Sequence, residues 1–346
     1  MTVVDVHTHM IPPSLVETIA GGDGPDGIGV EEQGGIPQLV YADGRRYPVR
    51  PIFGDVAAKL EQMDGDGIDV SVVSLPSTHL PYWLDPKETA RLCRVINDGM
   101  SALSAAAPGR IYGMASVPMN EPRAAAEELR RARRELGLAG LAIGTSVEEI
   151  GLDAEELDPI WRTAVELGTP IFLHPYRSMT KEPPAELADF HLSNVIGNPL
   201  ETFVAASRLI LAGALDRHPE LTFQLAHGGG SLPYQLGRLD HAYHAVAGAG
   251  AAAAKRPLAY LDHFLFDTVI FEPRALEYLI SLVGAERVVF GTDRPFEMAD
   301  LSGTAIAKTA SRCDAERILG ANALEALGIE PAVASERVPD RQRSGL

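Results

Sequence analysis

The chain has 346 residues, 46% of them hydrophobic and 22% charged, enough to bury a large core in one barrel or in two ordinary domains. Its formal charge of −17 repels phosphate backbones and anionic bilayers, so neither nucleic acid nor a membrane is an expected partner. A small anionic organic acid is not excluded, because a few arginines inside a cleft outweigh the distant field.

Taken in chain order, short apolar or β-branched runs alternate with longer segments whose apolar residues recur every three or four positions. The runs at 3–6, 69–74, 111–116, 140–144, 170–173, 221–226, 264–268 and 287–290 read as strands, and the segments at 55–65, 86–107, 121–136, 157–167, 200–215 and 232–247 as helices. Ile171-Phe172-Leu173 and Val288-Val289-Phe290 are apolar throughout, as parallel strands covered on both faces must be. This pattern predicts an α/β fold, a (β/α)8 TIM barrel. An open doubly wound sheet is the alternative, but the first strand is followed by His-x-His rather than by a glycine-rich phosphate turn. Residues 1–329 thus read as a single barrel and 330–346, rich in Pro, Arg and Ser without periodicity, as a tail.

Roughly residues 20–50 form an insertion after the first strand, and Gln38-Leu39-Val40-Tyr41 followed by Asp43-Gly44 predicts a β-hairpin within it. An insertion there stands at the C-terminal mouth of a barrel, where substrates bind, so it is expected to be a lid or a pocket wall. Two cysteines far apart in the chain, Cys93 and Cys313, argue for a reducing compartment, and no basic leader precedes the apolar Val3-Val4-Asp5-Val6, so a cytoplasmic protein is expected.

The strongest chemical signal is Asp5-Val6-His7-Thr8-His9. Residues two apart in a strand share a face, so two imidazoles can reach one point at the barrel mouth. His174 ends the fifth strand, His227 ends the sixth, and Asp293 follows the eighth, all at the same end. Singly, each histidine has an ordinary explanation as a hydrogen-bonded core residue, and Asp293 as a helix cap. Together they have the composition of a catalytic metal centre, which needs three or four convergent ligands and an open position.

Asp5-x-His7-x-His9, Leu173-His174-Pro175, Ala226-His227-Gly228-Gly229-Gly230 and Gly291-Thr292-Asp293-x-Pro295-Phe296 resemble the amidohydrolase superfamily, specifically the branch around aminocarboxymuconate semialdehyde decarboxylase. The resemblance runs from about residue 3 to 328 and includes Tyr82-Trp83, Ile96-Asn97-Asp98 and Asn322-Ala323. It implies His7, His9, His174 and Asp293 as metal ligands, with His227 as general acid/base, a role suited to an imidazole, which titrates near neutrality. Zn²⁺ fits the histidine-rich set, and Mn²⁺ is the second candidate because one ligand is a carboxylate. The resemblance also implies a homodimer whose pocket is completed by an arginine from the neighbouring subunit.

In that branch, arginines hold the substrate's carboxylates. Gly237-Arg238 keeps one of them, but Pro48 occupies the hairpin position where another is expected, with Arg45, Arg46 and Arg50 nearby, and 245–254 supplies no replacement for the third. Arg294 and Arg177 are further candidate cations, each also readable as a structural ion pair, the commoner role. Tyr176, Phe296, Trp83 and His79 are candidate pocket aromatics. The expected reaction is metal-dependent, non-oxidative decarboxylation of an unsaturated or aromatic carboxylic acid of ortho-hydroxy, ortho-amino or muconate semialdehyde type. The alternative is hydrolysis of an amide, lactone or C–C bond by an activated water at the same ligands. A catalytically silent scaffold predicts a missing ligand, and none is missing.

Overall fold

A computed structural model describes residues 1–176, 185–301 and 311–330; Arg177 and the expected tail beyond Glu330 lie outside the described residues. The first strand, β1 (Val4–His9), is buried throughout. A short helix, Pro13–Thr18, follows earlier than the sequence pattern indicates. Next comes a three-stranded antiparallel sheet of β2 (Ile28–Gln33), β3 (Ile36–Tyr41) and β4 (Arg46–Pro48). The expected hairpin is its second half, with Asp43 accepting from the Arg45 amide at 3.0 Å in the turn. Its first half, turned by Gly34-Gly35, lacks the alternating pattern that exposes a hairpin to sequence reading.

The barrel continues through β5 (Val70–Ser74), β6 (Ile111–Ala115) and β7 (Gly140–Gly144). A small ribbon of β8 (Ser146–Val147) and β9 (Ile150–Gly151) precedes β10 (Ile171–His174), β11 (Phe223–Leu225), β12 (Phe264–Asp267) and β13 (Val288–Val289). The parallel order is β1-β5-β6-β7-β10-β11-β12-β13, matching the eight strands read from the sequence. Covering helices include Val56–Asp66, Pro86–Ala106, Pro122–Arg134, Asp158–Glu166, Asn198–Leu211 and Leu232–Ala245. Among the described residues, no helix is long and apolar enough to cross a membrane.

Inside the barrel, Val4, Val6, Val70, Val72, Phe172, Leu265 and Val289 form a dry cluster, joined by Ala323 and Leu327 of the helix Asn322–Leu327. Burying these side chains contributes roughly 1.5–3 kcal/mol for each large one. The candidate site residues stand at the other, C-terminal ends of the strands. β1 carries a one-residue bulge there, its register against β5 slipping between Asp5 and Thr8. Val6 points into the interior cluster and Thr8 points out to the Lys59 ammonium, so the extra residue is what lets His7 join Val6 on the inside, with His9 following. Gln224 reaches across the interior to donate to the Val6 carbonyl at 3.1 Å.

The barrel closes where the segment after β13 meets β1. The Val6 amide donates to the Phe290 carbonyl at 3.0 Å, the Asp293 amide to the His7 carbonyl at 2.7 Å, and the His9 amide to the Arg294 carbonyl at 2.8 Å. Buried Asp5 reinforces the seam, accepting from the Thr292 hydroxyl at 2.7 Å and amide at 3.1 Å. Burial pushes the Asp5 carboxyl up to about 6, against the opposing pull of Lys59, and burial lowers Lys59 to about 8. Arg294 sends its guanidinium outward to Asp66 at 3.1 and 3.2 Å. Arg294→Ala is therefore expected to lower stability by about 1–3 kcal/mol in a denaturant titration, the cost of stranding a half-buried carboxylate. Bound-metal stoichiometry should stay unchanged; loss of metal with full stability would place Arg294 in the site instead.

Candidate metal centre

His7 and His9 from β1, His174 at the end of β10 and Asp293 in the turn after β13 each offer a ligand atom within 4.8 Å of the others. The imidazoles pack edge to face, with ring centroids 5.1–5.3 Å apart among His7, His9 and His174. The Nδ1 of each ring is engaged away from this point: His7 with Asp267 at 2.6 Å, His9 with Ser74 at 3.1 Å, and His174 with Ser77 at 3.0 Å and the Pro175 carbonyl at 2.9 Å. Such contacts orient the rings and turn each Nε2 toward the common point. The Nε2 of His174 is buried with no hydrogen-bond partner, which is costly unless a cation takes its lone pair, and the Nε2 of His7 lies 3.3 Å from Asp293. Three imidazoles and a carboxylate aimed at one point, with His9 Nε2 3.1 Å from Asp293, fit a divalent metal ion.

The electrostatics agree. Burial opposes ionisation of Asp293, but His7 and the bonds from His227 and His9 outweigh it and hold the carboxyl well below the usual range. Burial also disfavours charge on His7, yet Asp293 and Asp267 push that imidazole up to about 10. Burial and the surrounding rings hold His174 well below its ordinary value, and burial holds His9 below its own. Two carboxylates thus demand positive charge between them while two neutral imidazoles stand ready to ligate.

His227 adjoins the cluster without belonging to it, its Nε2 being 3.5 Å from the other Asp293 oxygen. Its backbone sits at φ 55°, and Asp293 at φ 59°, conformations uncommon outside glycine. Asp267 holds the first turn in place, accepting from the His227 amide at 3.0 Å and the Gly228 amide at 2.8 Å. Glycine is required where this turn passes the neighbouring helix, since a Cβ on Gly230 would strike the Pro199 carbonyl.

A cavity of about 270 Å³ opens above these residues, lined by His174, His227 and Asp293 at its base and by Tyr47, Phe53, His79 and Phe296 on its walls. Of the remaining sequence candidates, Arg50 lines it and approaches Glu297 at 3.8 Å, and Pro48 lines it too. Arg45 bonds Asp43 and Arg46 bonds Glu31. Tyr176 and Trp83 face a separate, adjoining pocket: the Tyr176 hydroxyl donates to Glu148 at 2.7 Å and its ring packs on Tyr82. Arg294 faces Asp66 rather than the cavity. Arg238 is exposed on the outer face of its helix. Sequence reading passed over Asp267, although it ends its strand as His174 does, and His191 and Asn194, which reach the cavity from a segment without periodicity.

The amidohydrolase family profile matches residues 4–329. The chain belongs to this family. It is 31% identical over 336 residues to the 2-amino-3-carboxymuconate-6-semialdehyde decarboxylase of Dictyostelium discoideum, covering 95% of this chain and 92% of that one. The crystal structure of a 5-carboxyvanillate decarboxylase from Sphingomonas paucimobilis superposes with a TM-score of 0.81 at 25% identity, covering 95% of this chain and 99% of the other. A dihydroxybenzoic acid decarboxylase from Polaromonas, with bound manganese and the inhibitor 2-nitroresorcinol, gives 0.75 at 24% identity, covering 94% and 97%.

Two outcomes are expected from this geometry. Asp267→Asn should weaken metal binding about 10–100-fold in a chelator competition, because the amide no longer orients His7; unchanged affinity would show that Asp267 serves only the turn. Since His7 without metal stays protonated up to about pH 10, metal uptake must displace that proton. Affinity should therefore rise with pH between 7 and 9, by about tenfold per unit for one proton, with proton release visible in weak buffer.

Proposed function

We propose that this chain is a divalent-metal-dependent, non-oxidative decarboxylase of a small aromatic or unsaturated carboxylic acid bearing an ortho hydroxyl or amino group. The observation that carries this reading is a His7/His9/His174/Asp293 cluster, with His227 beside it, at the base of an aromatic-walled cavity. Decarboxylases among the relatives and structural neighbours support it.

Zinc is the metal proposed for the three imidazoles, with manganese, as in the Polaromonas structure, the alternative; when bound, it supplies a Lewis acid that polarises a substrate oxygen. His227 is the proposed proton carrier. Its Nε2, 3.5 Å from Asp293, faces the cavity and delivers a proton to the ring carbon bearing the carboxylate. The bond to that carboxylate then breaks, CO2 departs, and the bonding pair restores the ring. Phe53 and Phe296, with ring centroids 5.5 Å apart, keep bulk water from the base of the cavity. Arg50 is the described cation able to meet a carboxylate at its mouth.

We further propose a cytoplasmic homodimer in which Arg238 serves the neighbouring subunit's cavity, because it faces outward from its own. Tyr234, one turn before it, and Leu200 and Val204 on the adjoining helix are exposed apolar side chains that such an interface would cover.

The deciding experiment is CO2 release by metal-replete protein from ortho-hydroxy and ortho-amino aromatic acids and muconate semialdehyde acids. Release should vanish with chelator and in Asp293→Ala, and fall about 10²–10⁴-fold in His227→Ala. Turnover by water addition without CO2 would replace this reading with hydrolysis. For the dimer, mixing inactive Asp293→Ala with Arg238→Ala should restore part of the activity by forming one intact site per heterodimer; no recovery on mixing would remove Arg238 from the partner's pocket.

A further inference from the structure

His79 stands on the cavity wall, and its Nδ1 is 2.6 Å from the hydroxyl of Tyr41 on β3. The two rings lie nearly parallel, at 14°, and Tyr47 closes edge-on against His79 at 5.1 Å. Both members of the pair are buried, His79 at 6% exposure and Tyr41 at 4%. Burial lowers the imidazole to about 3 and raises the phenol, so the pair is neutral at any working pH.

A neutral imidazole carries one proton, and the contact with Tyr41 decides where. If Nδ1 held it, the buried phenol hydrogen would have no acceptor among the described residues, an unsatisfied donor of the costly kind. The phenol therefore donates to Nδ1, and the proton resides on Nε2. Tyr41 faces the adjoining pocket rather than this one, so the edge of His79 opposite the bond is the edge on the cavity. An aromatic-walled cavity thus carries one oriented, uncharged N–H donor on its side.

We propose that His79, held in this tautomer by Tyr41, is a specificity determinant that selects ring substrates carrying a second, uncharged oxygen substituent besides the group at the metal. The inference rests on the reading of the site as one for aromatic acids. The rest of the lining agrees with it. Among the described lining residues the one arginine or lysine is Arg50, and it lies 3.8 Å from Glu297, while Ile11, Phe53 and Phe296 are apolar and Ser77, Thr78, Asn194 and Asn198 are polar but uncharged, a lining that suits an uncharged oxygen better than a second carboxylate. A ligand without the oxygen leaves the His79 N–H buried without a partner, which is how a polar group in a dry site discriminates. Tyr41 is a positioning residue, acting only through His79.

The test uses inert probes, 2-nitrophenol and the set of its derivatives bearing one additional ring hydroxyl, with affinities for metal-replete protein measured by calorimetry. At least one dihydroxy isomer should bind about tenfold tighter than 2-nitrophenol to the native protein. His79→Phe should abolish that preference, His79→Gln, which keeps a donor, should retain part of it, and Tyr41→Phe should reduce it while leaving 2-nitrophenol affinity unchanged. No preferred isomer in the native protein, or a preference that survives His79→Phe, overturns the proposal. If His79→Phe does not fold, an undiminished preference in Tyr41→Phe overturns it equally. Preference without CO2 release from any acid sinks the decarboxylase reading and leaves this inference standing; CO2 release without preference does the reverse.

Discussion

The structure depends on the seam between the first and last strands. β1 supplies two of the candidate ligands and the segment after β13 supplies a third, so the centre exists only where these distant parts of the chain are bonded together. The short bond from the Asp293 amide to the His7 carbonyl fixes the backbone of one ligand to that of another. Asp5 ties the adjoining Thr292 by hydroxyl and amide, and Arg294 anchors the same turn from outside through Asp66. A backbone shift in the turn that carries Asp293 is thereby coupled to β1 and its two histidines. Such coupling supplies the positional precision a metal centre requires.

The bulge in β1 adds a second constraint. With strict alternation from Val6, Thr8 would face the interior and the histidines would face the helices. One extra residue reverses this, and Lys59 and Gln224 take up the groups it displaces, the Thr8 hydroxyl outside and the Val6 carbonyl inside. The same barrel therefore presents a dry apolar interior toward one end and a convergent polar floor at the other. Gly291 is part of that arrangement, since a Cβ there would lie 2.7 Å from the Cβ of His7.

Above the floor, the site is built from different elements. The strand ends hold the candidate ligands and His227, while the three-stranded insertion contributes Tyr47 and Pro48 to the wall and Tyr41 behind it. Pro48 lines the cavity where the resemblance to the decarboxylases implies an arginine, and Arg50, two residues on, lines it too. Asp267 ties the floor together, bonding His7 on one side and the backbone of the His227 turn on the other.

The sequence by itself determined the barrel and its chemical floor. Eight apolar runs separated by helical segments, with His-x-His rather than a glycine-rich turn after the first, point to a parallel barrel, and His7, His9, His174 and Asp293 were legible because each ends or follows one of those runs. Only the tertiary structure decided what surrounds them. Side-chain direction at a barrel mouth depends on long-range partners that no local pattern encodes. Arg294 turns to Asp66, more than two hundred residues away in the chain, and Tyr176 turns to Glu148, while His79, Arg50 and Pro48 meet in one cavity because the insertion folds back over the barrel. Period and motif report which face of an element a residue occupies; which neighbour that face meets is fixed by packing.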